Sequence, residues 1–116
     1  MSEAQSISAD PGTASELTAF QRNILTILAE EARYGLAIKR ELEEYYGTEV
    51  NHGRLYPNLD DLVELGLVEK SELDKRTNQY ELTEAGAETL LNQFAWEFEK
   101  FTADETRATA LKELLE

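Results

Sequence analysis

Cysteine is absent from the chain, which excludes disulfides, thiolate metal sites, iron–sulfur clusters and thiol-based redox sensing. Histidine occurs once, at His52, so a histidine-rich metal site would need a second subunit. A Ser/His/Asp relay would have to be built around that same residue, and no nucleophile motif accompanies it. A glycine-rich phosphate loop is also missing. These gaps argue against an enzyme and against a resident cofactor or metal. No run approaches the roughly 20 apolar residues of a membrane-spanning helix. Residues 1–15 (MSEAQSISADPGTAS) lack the basic start and apolar stretch of a secretory signal. The expectation is a cytoplasmic protein with no membrane partner.

Basic residues are scarce as well: 11 Lys and Arg stand against 24 Asp and Glu, a net charge of −13. Taken alone, this opposes nucleic-acid binding, because phosphate neutralisation ordinarily supplies most of the affinity. Three explanations stand side by side: a basic protein partner, a disordered acidic segment, or a cytoplasm holding molar salt, where carboxylates keep the surface hydrated. Disorder conflicts with the frequency and periodicity of the aliphatic and aromatic residues. The acids are spread along the chain and not gathered into a tail, which favours salt adaptation, since net charge bears on solubility and not on fold.

With 116 residues, 41% of them hydrophobic, the chain supports one domain with a small core. Residues 1–15 read as a mobile polar tail with a turn at Asp10-Pro11-Gly12. Ser15 or Thr18 is suited to cap a first helix on which Leu17, Phe20, Ile24, Leu25, Ile27 and Leu28 recur at helical spacing. That helix ends near Glu31 to Arg33. Tyr34-Gly35 opens a second, with Leu36, Ile38 and Leu42 on its apolar side and Gly47 as its stop. A third carries Leu55, Leu59, Leu62, Val63 and Leu65 and closes at Gly66.

The period then changes. Leu67 to Leu73 and Gln79 to Leu82 read as strands around a polar loop, Asp74 to Asn78. Thr83 is placed to cap a long helix with Ala87, Leu90, Leu91, Phe94, Phe98 and Phe101 along one face and Trp96 nearly opposite. A shorter amphipathic piece with Ala108, Leu111, Leu114 and Leu115 follows. The predicted class is mainly α with a small β-hairpin wing. A winged helix-turn-helix over residues 16–82 is followed by C-terminal dimerisation helices over 83–116.

In that architecture the start of the third helix faces base edges in the major groove. Here it reads Asn51-His52-Gly53-Arg54-Leu55-Tyr56-Pro57-Asn58-Leu59. Arg54 suits guanine, Asn51 or Asn58 suits adenine, and Tyr56 suits a phosphate. No acid occurs from Val50 to Leu59, nor from Lys75 to Tyr80 at the wing tip, where Lys75 and Arg76 are adjacent. Leu17 to Ala29, read as core, is acid-free too. Each feature has a plain alternative: a late-starting or bent helix at Pro57, a solvated Arg54, an ordinary hairpin tip. Their coincidence at the two DNA-facing places of one fold favours double-stranded DNA as partner. His52 reads as a polar contact or helix-start residue and not as a metal ligand. The aromatics of the last long helix read as core or subunit interface, and a two-fold dimer is the simplest way to cover a helix leaving so small a domain.

The chain resembles the PadR-like transcriptional regulators. The matching residues are Tyr34-Gly35, Gly53-Arg54-Leu55-Tyr56-Pro57-Asn58-Leu59, Leu65-Gly66-Leu67-Val68 and Tyr80-Glu81-Leu82-Thr83-Glu84-Ala85-Gly86, within residues 18–101. The acidic surface makes it similar to a haloarchaeal member acting in the oxidative-stress response. The resemblance implies a homodimer on a palindromic promoter site, usually a repressor. It assigns the recognition-helix role to Asn51, His52, Gly53, Arg54, Tyr56 and Asn58, and the wing role to Lys75, Arg76 and Thr77. It assigns dimerisation to the C-terminal helix, for which the candidates are Leu90, Leu91, Phe94, Trp96, Phe98, Phe101, Leu111 and Leu115. Lys39, Tyr56 and the wing are expected to fix register on phosphates, and carboxylates near them to hold inorganic cations. The family's wing is often more basic, so Thr77-Asn78-Gln79 weakens the expectation there. The rival reading is a winged helix that engages a basic protein.

Overall fold

Thr18 starts the first helix. In the computed structural model, which describes residues 16–116, α1 spans Ala19–Glu30 with Thr18 as N-cap. The Thr18 hydroxyl accepts the Gln21 N–H, and the Gln21 amide oxygen accepts the Thr18 N–H, both at 3.1 Å. The expected tail, its turn and the alternative cap Ser15 lie outside the described residues.

Next comes β1 (Arg33–Tyr34), then α2 (Gly35–Tyr46), which stops at Gly47 with φ +71°. Asn51 caps α3 (His52–Glu64) by accepting the Arg54 N–H at 2.8 Å. The end of α3 is a Schellman turn. Leu67 N–H donates to Leu62 C=O and Gly66 N–H to Val63 C=O, each at 3.0 Å, with Gly66 at φ +80°. Leu65, still helical in backbone, is exposed, although the helical pattern had placed it on the apolar side.

The sheet contains β2 (Val68–Asp74) and β3 (Thr77–Leu82) in the order β1-β3-β2, antiparallel throughout. Two features depart from expectation. Arg33 and Tyr34 pair with Tyr80 and Gln79 as a third strand too short to show a period. The expected five-residue wing loop shrinks to Lys75-Arg76, because Asp74 already pairs with Thr77. Asp74 accepts the Arg76 N–H at 2.8 Å across that turn. This bond, with help from Thr77, holds its carboxyl below the ordinary carboxylate range.

Helix α4 (Glu84–Phe101) begins at Thr83, whose hydroxyl accepts the Gly86 N–H at 3.0 Å and donates to Gly66 C=O at 2.7 Å. One hydroxyl thus joins the end of α3 to the start of α4. Helix α5 (Glu105–Leu115) follows and buries none of its residues fully. The core gathers Ile24, Ile38, Leu42, Leu55, Leu59 and Tyr80 between α1, α2, α3 and the sheet. Leu36, expected on the buried side of α2, is exposed, because the buried line of that helix is Gly35, Ile38 and Leu42. Among the described residues, no helix is long and apolar enough to cross a membrane.

Glu43 ties α2 to the entry of α3. Its Oε2 accepts from Lys39 Nζ at 2.8 Å and from the Val50 N–H at 3.0 Å. Lys39 first, then the Val50 N–H, lower its pKa. A carboxyl whose folded pKa is depressed adds stability above its unfolded pKa, and that stability is lost as pH falls through the folded value. Glu43→Gln is therefore expected to flatten the acid limb of a melting-temperature profile. An unchanged acid limb would show that this link is energetically idle.

Candidate nucleic-acid interface

A helix advances about 100° per residue, so the side of α3 opposite its buried Leu55, Leu59 and Leu62 is a fixed line. That line is Gly53, Pro57, Asp60 and Glu64, all exposed. Its N-terminal half is unusually low. Pro57 has no N–H, so the usual bond to the Gly53 carbonyl cannot form, yet the helix runs unbroken from His52. A Cβ at Gly53 would meet only Asn51 Oδ1, at 3.4 Å, so internal packing does not demand glycine there. Gly53 and Pro57 together give α3 a crest that another backbone or a base edge can approach closely. The first acids come one turn later, at Asp60, Asp61 and Glu64.

The predicted residues flank this crest on two sides. Toward α1, Arg54 is exposed, with its guanidinium carbon 4.0 Å from the Phe20 ring centroid. Asn58 lies one turn on, with both ends of its amide engaged. Oδ1 accepts from Gln21 Nε2 at 3.0 Å, and Nδ2 donates to Arg54 C=O at 2.7 Å. Asn51 likewise serves as the cap of α3. Both Asn side chains thus hold the helix in shape, where the sequence had offered them as readers of adenine. Toward α2 and the wing, Tyr56 is half-buried and stacks on His52, ring centroids 5.5 Å apart. Its phenol occupies the space beside Gly35, where a Cβ would lie 2.7 Å from Tyr56 Oη. That contact accounts for glycine in the Tyr34-Gly35 pair.

Lys75 and Arg76 are exposed at the wing tip and Thr77 is half-buried. A cleft of about 590 Å³ separates Tyr34, Leu36 and Tyr56 from Leu73, Arg76 and Thr77, so α3 and the wing face each other across open space. Lys39 does not join them freely, because its ammonium is paired with Glu43.

The C-terminal candidates divide. Leu90 is only 5% exposed and belongs to the core of its own chain, which leaves it little surface for a partner. Leu91, Phe94, Phe98 and Phe101 form one exposed stripe on α4, with Phe94 and Phe98 stacked at 6.0 Å. Trp96, 59% exposed, points away from it. Leu111 is half-buried and Leu115 exposed. Arg107 anchors α5 by donating to Phe101 C=O at 2.8 Å and resting over the Phe101 ring.

Phe20 and Gln21 are the residues that sequence reading missed. Thr18-x-x-Gln21 was readable as a capping box, but no local signal showed that the same Gln21 amide also braces α3.

Comparison with known proteins places this geometry. The profile of the transcriptional regulator PadR-like family matches residues 24–92. A structure of H. salinarum RosR grown from NaBr is 66% identical, with a TM-score of 0.85, over 88% of this chain and 93% of that one. A structure described as the hsRosR-S4 complex is 64% identical, with a TM-score of 0.88, over 90% and 91%. A PadR-like transcription factor from "bacteroid fragilis" is 26% identical, with a TM-score of 0.63, over 68% and 80%. No protein with a curated description matches the chain.

Proposed function

Because the chain belongs to the transcriptional regulator PadR-like family, whose members regulate transcription and are not enzymes, we propose that it acts as a homodimer on palindromic promoter DNA. Each α3 enters a major groove, the two about 34–36 Å apart, and the wing tips reach the flanking backbone. The observation that carries this reading is the low, acid-free N-terminal half of the α3 crest, flanked by exposed Arg54 and faced across the cleft by Arg76 of the wing tip. Arg54 reads a base or grips a phosphate; His52, Tyr56, Lys75, Arg76 and Thr77 set register; Asn51 and Asn58 brace the helix. Leu91, Phe94, Phe98 and Phe101 supply the dimer contact. A role in the oxidative-stress response, in a cytoplasm rich in salt, completes the proposal. Without cysteine, an oxidant signal must arrive through a ligand, another protein or changed abundance.

Carboxylates carried near phosphates hold cations where an ordinary DNA-binding protein would release them. The salt dependence of binding is therefore expected to be shallow, absent or reversed. The test is genome-wide binding in the native host, followed by titration of a bound promoter at low and at molar KCl. A shared palindrome, bound measurably more weakly by Arg54→Ala and with a shallow salt slope, supports the proposal. Steep weakening with KCl removes the cation-holding part. The absence of any enriched site moves the reading to a winged helix that engages a basic protein.

Gly53 offers a sharper discrimination. Gly53 is the second residue of α3, where Gly→Ala stabilises by less than the roughly 0.5–1 kcal/mol of a helix interior, and the space at Gly53 is open. Gly53→Ala is expected to melt at higher temperature and yet to bind promoter DNA less well. Unimpaired binding would show that nothing approaches the crest closely.

A further inference from the structure

Phe20 belongs to α1 and stands outside the groove-facing set, yet it carries the exposed cation of α3. Its ring is 4% exposed. It stacks on Tyr46 with centroids 6.1 Å apart and planes 17° from parallel, and the Tyr46 hydroxyl accepts from Asn23 Nδ2 at 2.8 Å. The ring is thus held by its neighbours. The Arg54 guanidinium lies over it, its carbon 4.0 Å from the ring centroid. The Arg54 backbone is held as well. Its N–H donates to Asn51 Oδ1 at 2.8 Å, and its C=O accepts from Asn58 Nδ2, which Gln21 in turn holds.

An arginine on a helix surface ordinarily loses rotamer freedom when it binds, which weakens the complex severalfold. A ring under the guanidinium removes that freedom in advance, adds a cation–π attraction, and leaves the in-plane N–H fork open. We propose that Phe20 is a positioning residue for DNA recognition, holding the Arg54 fork ready for a planar pair of acceptors. This rests on the reading of α3 as the DNA-facing helix. The chemistry is shared by the O6/N7 edge of guanine and by two phosphate oxygens.

The test measures affinity of the full chain for a promoter fragment it binds, with melting curves as a fold control. Phe20→Leu keeps an apolar side chain but removes the ring, and is expected to bind about fivefold more weakly. Phe20→Tyr keeps the ring and the wild-type affinity. In an Arg54→Ala background, Phe20→Leu adds no further loss. Equal or tighter binding by Phe20→Leu, or the same loss with and without Arg54, overturns the proposal. Wild-type binding by Arg54→Ala alone overturns the underlying reading of Arg54, and the proposal with it.

NMR of the wild-type protein needs no variant. Ring-current-shifted Arg54 side-chain resonances that persist in the DNA complex support the proposal, and their return to unshifted positions on binding overturns it. The acceptor is identified by modified fragments. If 7-deazaguanine at one position abolishes the Phe20→Leu penalty, the fork reads guanine; if a methylphosphonate does so, it grips phosphate.

Discussion

Gly86→Ala is expected to destabilise the protein by about 3 kcal/mol through overpacking, lowering the melting temperature by roughly 12–24 °C. Gly86 sits in the first turn of α4, against the link between α3 and β2. A Cβ there would overlap the Leu67 carbonyl oxygen and come within 2.6 Å of Leu82 Cδ1. The Leu82 methyl can swing aside, but the Leu67 backbone does not yield easily. The Leu67 carbonyl accepts the Thr83 N–H at 3.1 Å, and Gly66 beside it is fixed by the Schellman turn and by the Thr83 hydroxyl. Relief would come only by lifting α4 off the sheet, which would open Thr89 and Leu90 to water. Urea and thermal unfolding measure the loss directly. A melting temperature within a few degrees of wild type would mean that α4 does not pack this closely on the base of the wing.

Phe98→Asp is expected to leave the monomer folded while abolishing the proposed dimer and weakening promoter binding by about 100-fold, the order of gain that linking two half-sites brings. Phe98 is 40% exposed in the single chain and sits at the centre of the Leu91, Phe94 and Phe101 stripe. Soluble monomers rarely expose so continuous an apolar surface. A carboxylate buried there without a partner would oppose association strongly. The change makes no demand on the core, because α4 buries only Gly86, Thr89 and Leu90, in its first half. Sedimentation velocity would report the assembly state and an operator titration the affinity. A Phe98→Asp protein that still sediments as a dimer would place the subunit contact elsewhere.

Much of this fold was legible because its signals are local. Thr18, Gly47, Gly66 and Thr83 mark helix ends with chemistry that acts within a few residues, and each does so in the structure. The wing hairpin was legible in place but not in length, because Asp74 reads as loop and pairs as strand only when Thr77 stands opposite. β1 was not legible at all: two residues carry no period, and Arg33 and Tyr34 pair with Tyr80 and Gln79, 47 and 45 positions further on. The candidate interface was half legible. Residue types at the start of α3 pointed to a polar, acid-free surface, but which of them face outward and which brace the helix depends on neighbours in α1. Asn58 was assigned to a base on its chemistry, and Gln21, 37 residues away, already occupies it. Leu90 had the spacing of the exposed stripe and is instead claimed by its own core.

The Thr83 hydroxyl, bonded at once to the Gly66 carbonyl and the Gly86 N–H, has a mechanical consequence. It ties the end of one helix directly to the start of the other, so a tilt of α4 is passed to α3 through this joint if the two bonds hold. The arm beyond this joint is 18 residues long, about 27 Å at 1.5 Å per residue. If two such arms cross at their far ends, a change of a few degrees in the crossing angle shifts the two α3 helices by ångströms relative to each other. Half-site spacing is then set at the distal end of α4 and transmitted through the joint. Whatever perturbs that crossing tunes the fit to DNA without touching a residue that meets it.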